Sequence, residues 1–558
     1  MTEMILPGVY TEVRPEGLIT PGRVTVGNLG VVGTANKGPV GSPVLLGSYA
    51  EARQTFGPYD PWIDGANDEL TLVRALEQAF AHGATTVFAV RVASAAAAQA
   101  TYTLASAGGP NVRLNAKTAG TWGNDLKVNV WDADENAFIE NEEHSGGGAI
   151  SLGRIPVVKS ARNRLRLFTD ADGLTRSLKI LYDDDPGPPG PGEVQIDRAT
   201  GDLTLGGPAP GAADRLTASY LVDKASAVKV SLTLGDLKET YITVDGNDLA
   251  ADVNRLSAWV AAEALANASE TPALSSAVDA FSAFGTGANT AGNNGESGAN
   301  FQSGLDVLLN EDAHIIVAAG QDHGFADELD AHCQNASSDA IRKDRIAVVG
   351  SGVGADLDAI RGHNVASDRV IFVAPGIKVT DTAATPPVEA TLPGAYAAAA
   401  VAGLLASFSA HISLTNKTVR VGGLERKFTA AELTQLVQAR VLTLEQRQGL
   451  RIVKAITTST NTAWHQITTR RIVDYAKFGV RSAANPYIGL LNNERVRGAM
   501  RTTINSFLTE MVNDEMLISY ELEVSATREE ERQGIARVTL VLRPTFSIDF
   551  IKVTMFLE

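Results

Sequence analysis

Apolar and polar positions alternate in the first segment of the chain. Val9, Thr11 and Val13 fall on one side and Tyr10 and Glu12 on the other, the period-two pattern of a strand. Pro7, Pro15 and Pro21 bracket it, and proline is tolerated in strands mainly at edges and ends. A short terminal strand over 8–14 with no hairpin partner must take its ladder from elsewhere, in its own domain or in another molecule. The pattern then turns to continuous apolar runs. Val24–Gly33, Val44–Leu46 and Thr85–Val92 read as buried strands. Between them Ser48 is placed to cap a short helix over Tyr49–Phe56, and residues 68–82 carry a helical pattern. Strand, helix, strand in this order is the texture of an α/β layer.

Residues 96–239 change character. Short strands (Tyr102–Leu104, Asp125–Asp132, Leu165–Thr169, Ser177–Tyr182) alternate with polar turns. The run Asp183–Gly192 reads as a linker-like loop, and Val194–Leu205 as a hairpin closed by Gly201. The stretch reads as a β-rich insertion. Residues 240–420 return to alternating elements: a helix over 248–268, a long flexible Gly/Asn-rich loop over 285–300, then buried strands near 314–319, 345–350 and 370–374 separated by helices. Such strands favour a parallel sheet. In residues 421–558 the stripe Val496, Met500, Ile504, Phe507, Leu508, Met511 marks a helix that Asn492 or Asn493 can cap. Strands follow over 517–524, 535–543 and 546–557. The expected organisation is an N-terminal extended arm (1–22), an α/β core (23–95 and 240–420), a β-rich insertion (96–239) and an α+β C-terminal domain (421–558).

At 558 residues the chain exceeds one hydrophobic core. The 64 acidic against 48 basic side chains give a formal charge of −16, which argues against broad binding to nucleic acid or anionic membrane. The deficit lies in residues 1–420, because 421–558 hold roughly 18 basic and roughly 15 acidic side chains. A single cysteine, Cys333, excludes an intramolecular disulfide. The first residues lack the basic-then-apolar order of a signal peptide. The most apolar stretch, Ala395–Ala410, is broken by Gly403 and too short to span a bilayer. Synthesis and folding in a cytoplasm are expected.

Taken in order, these residues resemble the phage tail sheath family along most of the chain. Pro7-Gly8-Val9-Tyr10 is followed by Gly33–Val40, by Pro43–Glu51 and by Phe56-Gly57. Asn254-Arg255-Leu256-Ser257 resembles the family's Asn-x-x-Ser. Asn493-Glu494-Arg495, a helix, Tyr520–Val524, an acidic loop and Thr539–Ile551 complete the series. The insertion has no such match. The resemblance implies a fold class, α/β and α+β multidomain, with a subtilisin-like core and extended terminal arms. It implies a contractile sleeve of stacked hexameric rings around a tail tube, driving the tube through the host envelope for genome ejection. Implied partners are further copies of the chain, the tail tube protein, and baseplate and tail terminator proteins, with no nucleic acid, membrane insertion, cofactor or ATP. The implied location is the virion tail, assembled in the host cytoplasm. The arms would add strands to neighbouring subunits through Val9, Tyr10, Thr11, Glu12 and Val13 at one end and Phe546, Ile548, Phe550, Ile551, Val553 and Phe556 at the other. The same part in a pyocin-like particle or extracellular injection system is the first rival. A capsid or baseplate protein is another.

Candidate chemistry stands against these readings. A subtilisin-like hydrolase would need a serine near Val401-Ala402-Gly403. Alignment on that tripeptide puts Ala395 at the nucleophile position, and alanine has no oxygen to attack a carbonyl. Asp312, His314, Asp322, His323, Asp327, Asp330 and His332 cluster near Cys333, but at spacings that match no common metal motif. Gly350–Ala355 follows a strand without the Lys-Ser/Thr of a phosphate loop. Arg495, Arg497 and Arg501 lie off the apolar stripe of their helix and are candidates to face an acidic tube. Against that stand a solvated face and salt bridges. Glu529–Glu531 is expected to be solvated or to pair across a ring interface.

Overall fold

The computed structural model describes residues 27–63 and 70–556, and the linking-arm residues Val9 to Val13 lie outside this range. The chain divides into two compact units, one formed by residues up to Ser94 and from Glu296 onward, the other by Ala95–Gly295.

The first unit is built on an eight-stranded sheet. Its order is Pro43–Leu46, Val87–Arg91, Leu29–Gly33, Ile315–Ala318, Ile346–Gly350, Val370–Ala374, Leu442–Gln446, Leu450–Ile452. The six inner strands run parallel and the two edge strands antiparallel. Four inner strands are buried along their whole length, as expected when helices cover both faces. Helices Tyr49–Phe56, Thr71–Ala81 and Gly394–Ser407 contribute to the core on one face. Phe301–Leu308, Ala326–Ala336 and Ala430–Gln438 contribute to the core on the other.

Small residues set the closest approaches. A β-carbon on Gly403 would lie 2.2 Å from the carbonyl oxygen of Ala79, and one on Gly350 only 1.8 Å from that of Gly394. Ala395 is buried at the start of the alanine-rich helix, and its N–H donates to the Ser351 carbonyl at 3.1 Å. The alanines therefore serve close helix–sheet packing.

The expected domain limits shift at both ends of the core. Strand Leu442–Gln446 pairs with Val370–Ala374 and helix Ala430–Gln438 contributes to the core, so both elements pack with the sheet although they lie beyond the expected limit at 420. The apolar run Val441–Leu444 is what the sheet buries.

The second unit holds the β-rich region but extends to Gly295 rather than 239. It contains an eight-stranded sheet, a four-stranded sheet and a three-stranded sheet. The helix expected over 248–268 stops at Leu256, and Val260–Ala264 is a strand paired with Gly109–Ala116. The run expected as a flexible loop is anchored: Asn294 Oδ1 accepts from the Thr121 N–H at 2.8 Å, and the Gly292 N–H donates to Asn124 Oδ1 at 2.7 Å. The acidic linker is likewise held, with Arg198 on Asp183 and Lys159 on Asp184 and Asp185. Among the described residues, no helix is long and apolar enough to cross a membrane.

Candidate assembly interface

The last hundred residues carry the features that bear on assembly. Helix Ile467–Ala484 rests on the ends of the core strands through a dense ion network. Arg369 holds Asp474 with both terminal guanidinium nitrogens, at 2.9 and 3.1 Å. Arg470 bonds Asp474 at 2.7 Å and Asp368 at 2.9 Å. Arg481 reaches Asp344 at 2.7 Å, and Lys477 bonds the same carboxylate. Arg369 and Asp344 are almost wholly buried, so each charge depends on its partners. A recess of about 280 Å³ lies beside this network, lined in part by His314, Ile346, Tyr475 and Phe478.

Helix Glu494–Asn513 packs against that first helix. Asn493 Oδ1 accepts from the Val496 N–H at 2.9 Å, and Met500, Ile504, Phe507, Leu508 and Met511 are buried as the stripe requires. Phe507 stacks on Tyr475 with centroids 5.8 Å apart. It sits so close to Gly479 that a β-carbon there would meet its ring at 1.9 Å.

The helix presents its other side to the hairpin formed by Leu517–Ser525 and Arg537–Pro544. This sheet has only two strands among the described residues. Its side chains alternate between exposed and partly buried positions. An isolated pair of strands is marginal in water and gains from further pairing.

The turn of the hairpin is a short helix, Arg528–Arg532, with a capping box between Thr527 and Glu530. Glu530 pairs with Arg537 at 2.5 Å, and Glu531 with Arg497 at 3.0 Å and Arg528 at 2.8 Å. The Thr527 N–H and the Arg537 guanidinium hold the Glu530 carboxyl down to about 2. Two of the three loop glutamates are therefore paired within the subunit, and Glu529 is exposed. Arg497 is a partner in that structure, with its side chain only 13% exposed. Arg495 and Arg501 are exposed.

Residues 546–556 form no ladder among the described residues, although their alternation reads as a strand. Ile548, Phe550, Ile551, Val553 and Phe556 are 71–88% exposed. Asp549 ties the segment to its own subunit, 3.7 Å from Lys454 Nζ and 3.5 Å from Thr415 Oγ1. Sequence reasoning missed this anchor and the ion network. A signal for the latter was present, since Arg470, Asp474, Lys477 and Arg481 recur at helical spacing on one face.

The other candidates come apart. His332 Nε2 faces the Arg345 guanidinium at 3.1 Å, His323 lies against the Phe372 ring, and the fully buried Cys333 thiol is pushed up to about 12. Among the described residues no three His, Cys, Asp or Glu side chains gather to hold a metal.

The architecture is of sheath type. It is similar to the sheath tail protein of Desulfitobacterium hafniense, with a TM-score of 0.57 at 13% identity over 96% of this chain and 100% of that one. It is also similar to the sheath tail protein of Listeria innocua, with a TM-score of 0.54 at 12% identity over 95% and 97%. No curated protein matches the chain. Residues 294–458 match the phage tail sheath protein central domain, and residues 459–558 the phage tail sheath C-terminal domain. Over residues 294–558 the chain is therefore similar to phage tail sheath proteins, through their central and C-terminal domains.

Proposed function

We propose that this chain is the structural subunit of a contractile tail sheath, polymerising as stacked six-fold rings around a tube and shortening to drive the tube through an envelope. The observation that carries this reading is the pair of matched sheath domains spanning 294–558. The subunit would sit in the tail and meet the tube, a baseplate and a terminator. A bacteriocin-like or extracellular injection machine would use the same part. The subtilisin-like description of the core draws support from the parallel sheet with the buried Gly394–Ser407 helix against it. A mechanical role also agrees with the alanine at position 395, where a hydrolase of that kind needs a nucleophile.

The two chain ends are the linking elements of this proposal. The two-stranded hairpin offers strand edges, and Phe546–Phe556 offers an apolar, unladdered segment. Strand addition would join them across copies, with backbone hydrogen bonds supplying affinity and alternate side chains setting register. Because each copy would both give and receive, the polymer is head-to-tail and open, as a tube requires. Arg495 and Arg501 are the proposed tube-facing cations. Arg497 would contribute by holding Glu531.

Deletion of residues 1–20 tests the linkage. The expected product is a folded, soluble subunit that forms no tubes under electron microscopy, whereas the full chain does. Tubes of normal length from the truncated chain would overturn the linking role. Charge reversal at Arg495 and Arg501 should reduce co-assembly with the tube while leaving self-polymerisation intact. Unchanged co-assembly would remove those residues from the proposal.

A further inference from the structure

Three guanidinium groups in the second unit converge on one recess with no ion-pair partner. Arg164 and Arg166 project from strand Arg164–Thr169, and Arg162 lies just before it. Together with Asn141, Thr217 and Ser219 they line a recess of about 440 Å³. Among the described residues no carboxylate lies within ion-pairing distance of any of the three. Glu140, also on the recess wall, is 3.3 Å from Arg255 instead. Several other cations of this unit are neutralised: Arg176 by Asp172, Lys179 by Glu193, Arg198 by Asp183, Lys159 by Asp185. In a chain with a net charge of −16, three unpaired arginines on one recess concentrate positive charge against the overall balance. Like charges held close repel, and an anion bound between them would relieve that repulsion.

The recess is also shaped. Arg166 stands opposite Thr217 and Arg164 opposite Ser219 on the neighbouring strand. Strand geometry spaces the two arginines by about 6.5–7 Å along one face. Asn141 adopts φ 56° where the pairing of Ala137–Ser145 with Arg215–Val222 shifts register, and its N–H donates to Ser219 Oγ at 3.0 Å. Bulges of this kind re-aim side chains and recur beside binding sites. The site therefore offers a row of cations over hydroxyl and amide groups.

That chemistry selects among polyanions. Single-stranded nucleic acid is held on stacking platforms, and the nearby Phe138 ring is already covered by the Arg162 guanidinium at 4.9 Å. A strand-adding peptide needs a free edge, and Arg164–Thr169 is laddered on both sides. We propose that this recess binds an acidic polysaccharide, its phosphate, sulfate or carboxylate groups on the arginines and its hydroxyls on Asn141, Thr217 and Ser219.

The test uses the full chain, with heparin as a sulfated polymer, polygalacturonate as a carboxylated one and dextran as the uncharged control. Fluorescence titration should show binding to both acidic polymers, none to dextran, and weakening with added salt. R164S/R166S should lose about tenfold in affinity and show a shallower salt dependence. Both side chains are exposed, so its melting temperature should be unchanged. Absence of binding, equal binding to dextran, or an unaffected double variant would overturn the proposal. So would tighter, variant-sensitive binding of a single-stranded oligonucleotide. Loss of self-association in the variant without any polysaccharide binding would reassign the recess to a contact between copies.

Discussion

Two buried histidines show how individual side chains set the conditions this protein tolerates. Burial pushes both His314 and His332 down to about 4, and the guanidinium of Arg345 at 3.1 Å requires His332 Nε2 to keep its lone pair. The unfolded chain binds these protons near pH 6.5, while the folded chain resists them until about 4. Their contribution to stability is therefore complete above pH 6.5 and is lost as pH falls toward 4. The slope is at most about 1.4 kcal/mol per pH unit for each histidine. Denaturant titrations across that range should show a shallower fall for His332→Gln than for the wild type. Asp474 is a second case, since it answers two arginines at once. Asp474→Ala should cost about 3–5 kcal/mol, as removing one member of a buried ion cluster does, read by urea unfolding. Arg470 lies one helical turn from Asp474 and that pair could be read from spacing, but Arg369 is 105 residues from Asp474 and only the folded sheet brings those two together.

Elements were legible where one local rule dominated. Ser48 accepts the Glu51 N–H at 3.3 Å and starts its helix as expected. Gly201, at φ 79°, closes the hairpin between Glu193–Ile196 and Asp202–Leu205. The reading failed where tertiary pairing overrode propensity. Val260–Ala264 is rich in alanine, a helix former, yet its backbone completes the ladder of Gly109–Ala116. The terminal alternation over 546–556 makes no ladder among the described residues, because a strand pattern needs a neighbour to form a sheet. Helix-to-helix contact supplies another prediction. Gly479 admits Phe507, so Gly479→Val should displace that ring and cost about 1–3 kcal/mol. Faster limited proteolysis within residues 485–556 would register the loosened packing, and unchanged protection would contradict it.

For the assembled particle, the prediction concerns the exposed terminal segment. A chain ending at Thr545 should fold with the melting behaviour of the full subunit, because the apolar side chains of 546–556 are exposed and the Asp549–Lys454 pair, at 3.7 Å, is too long to add much stability. Under proposed strand addition it should also fail to form tubes by electron microscopy. Loss of folding instead would mean that the segment serves its own subunit. The insertion teaches a complementary lesson about boundaries. Its unit runs to Gly295 because Asn293, Asn294 and Gly292 are tied into it by hydrogen bonds that no composition change announces.

Local order along the chain was enough to place the alternating strands and helices, the capped C-terminal helix and the family likeness. These rest on short-range periodicity and on fixed spacing, which the sequence carries directly. Folding in three dimensions settled the rest: where the core ends, which arginines are neutralised, and that residues 546–556 make no ladder among the described residues. Those outcomes depend on which distant groups meet, and the free energy of a pairing or a buried charge exists only once both members are in place.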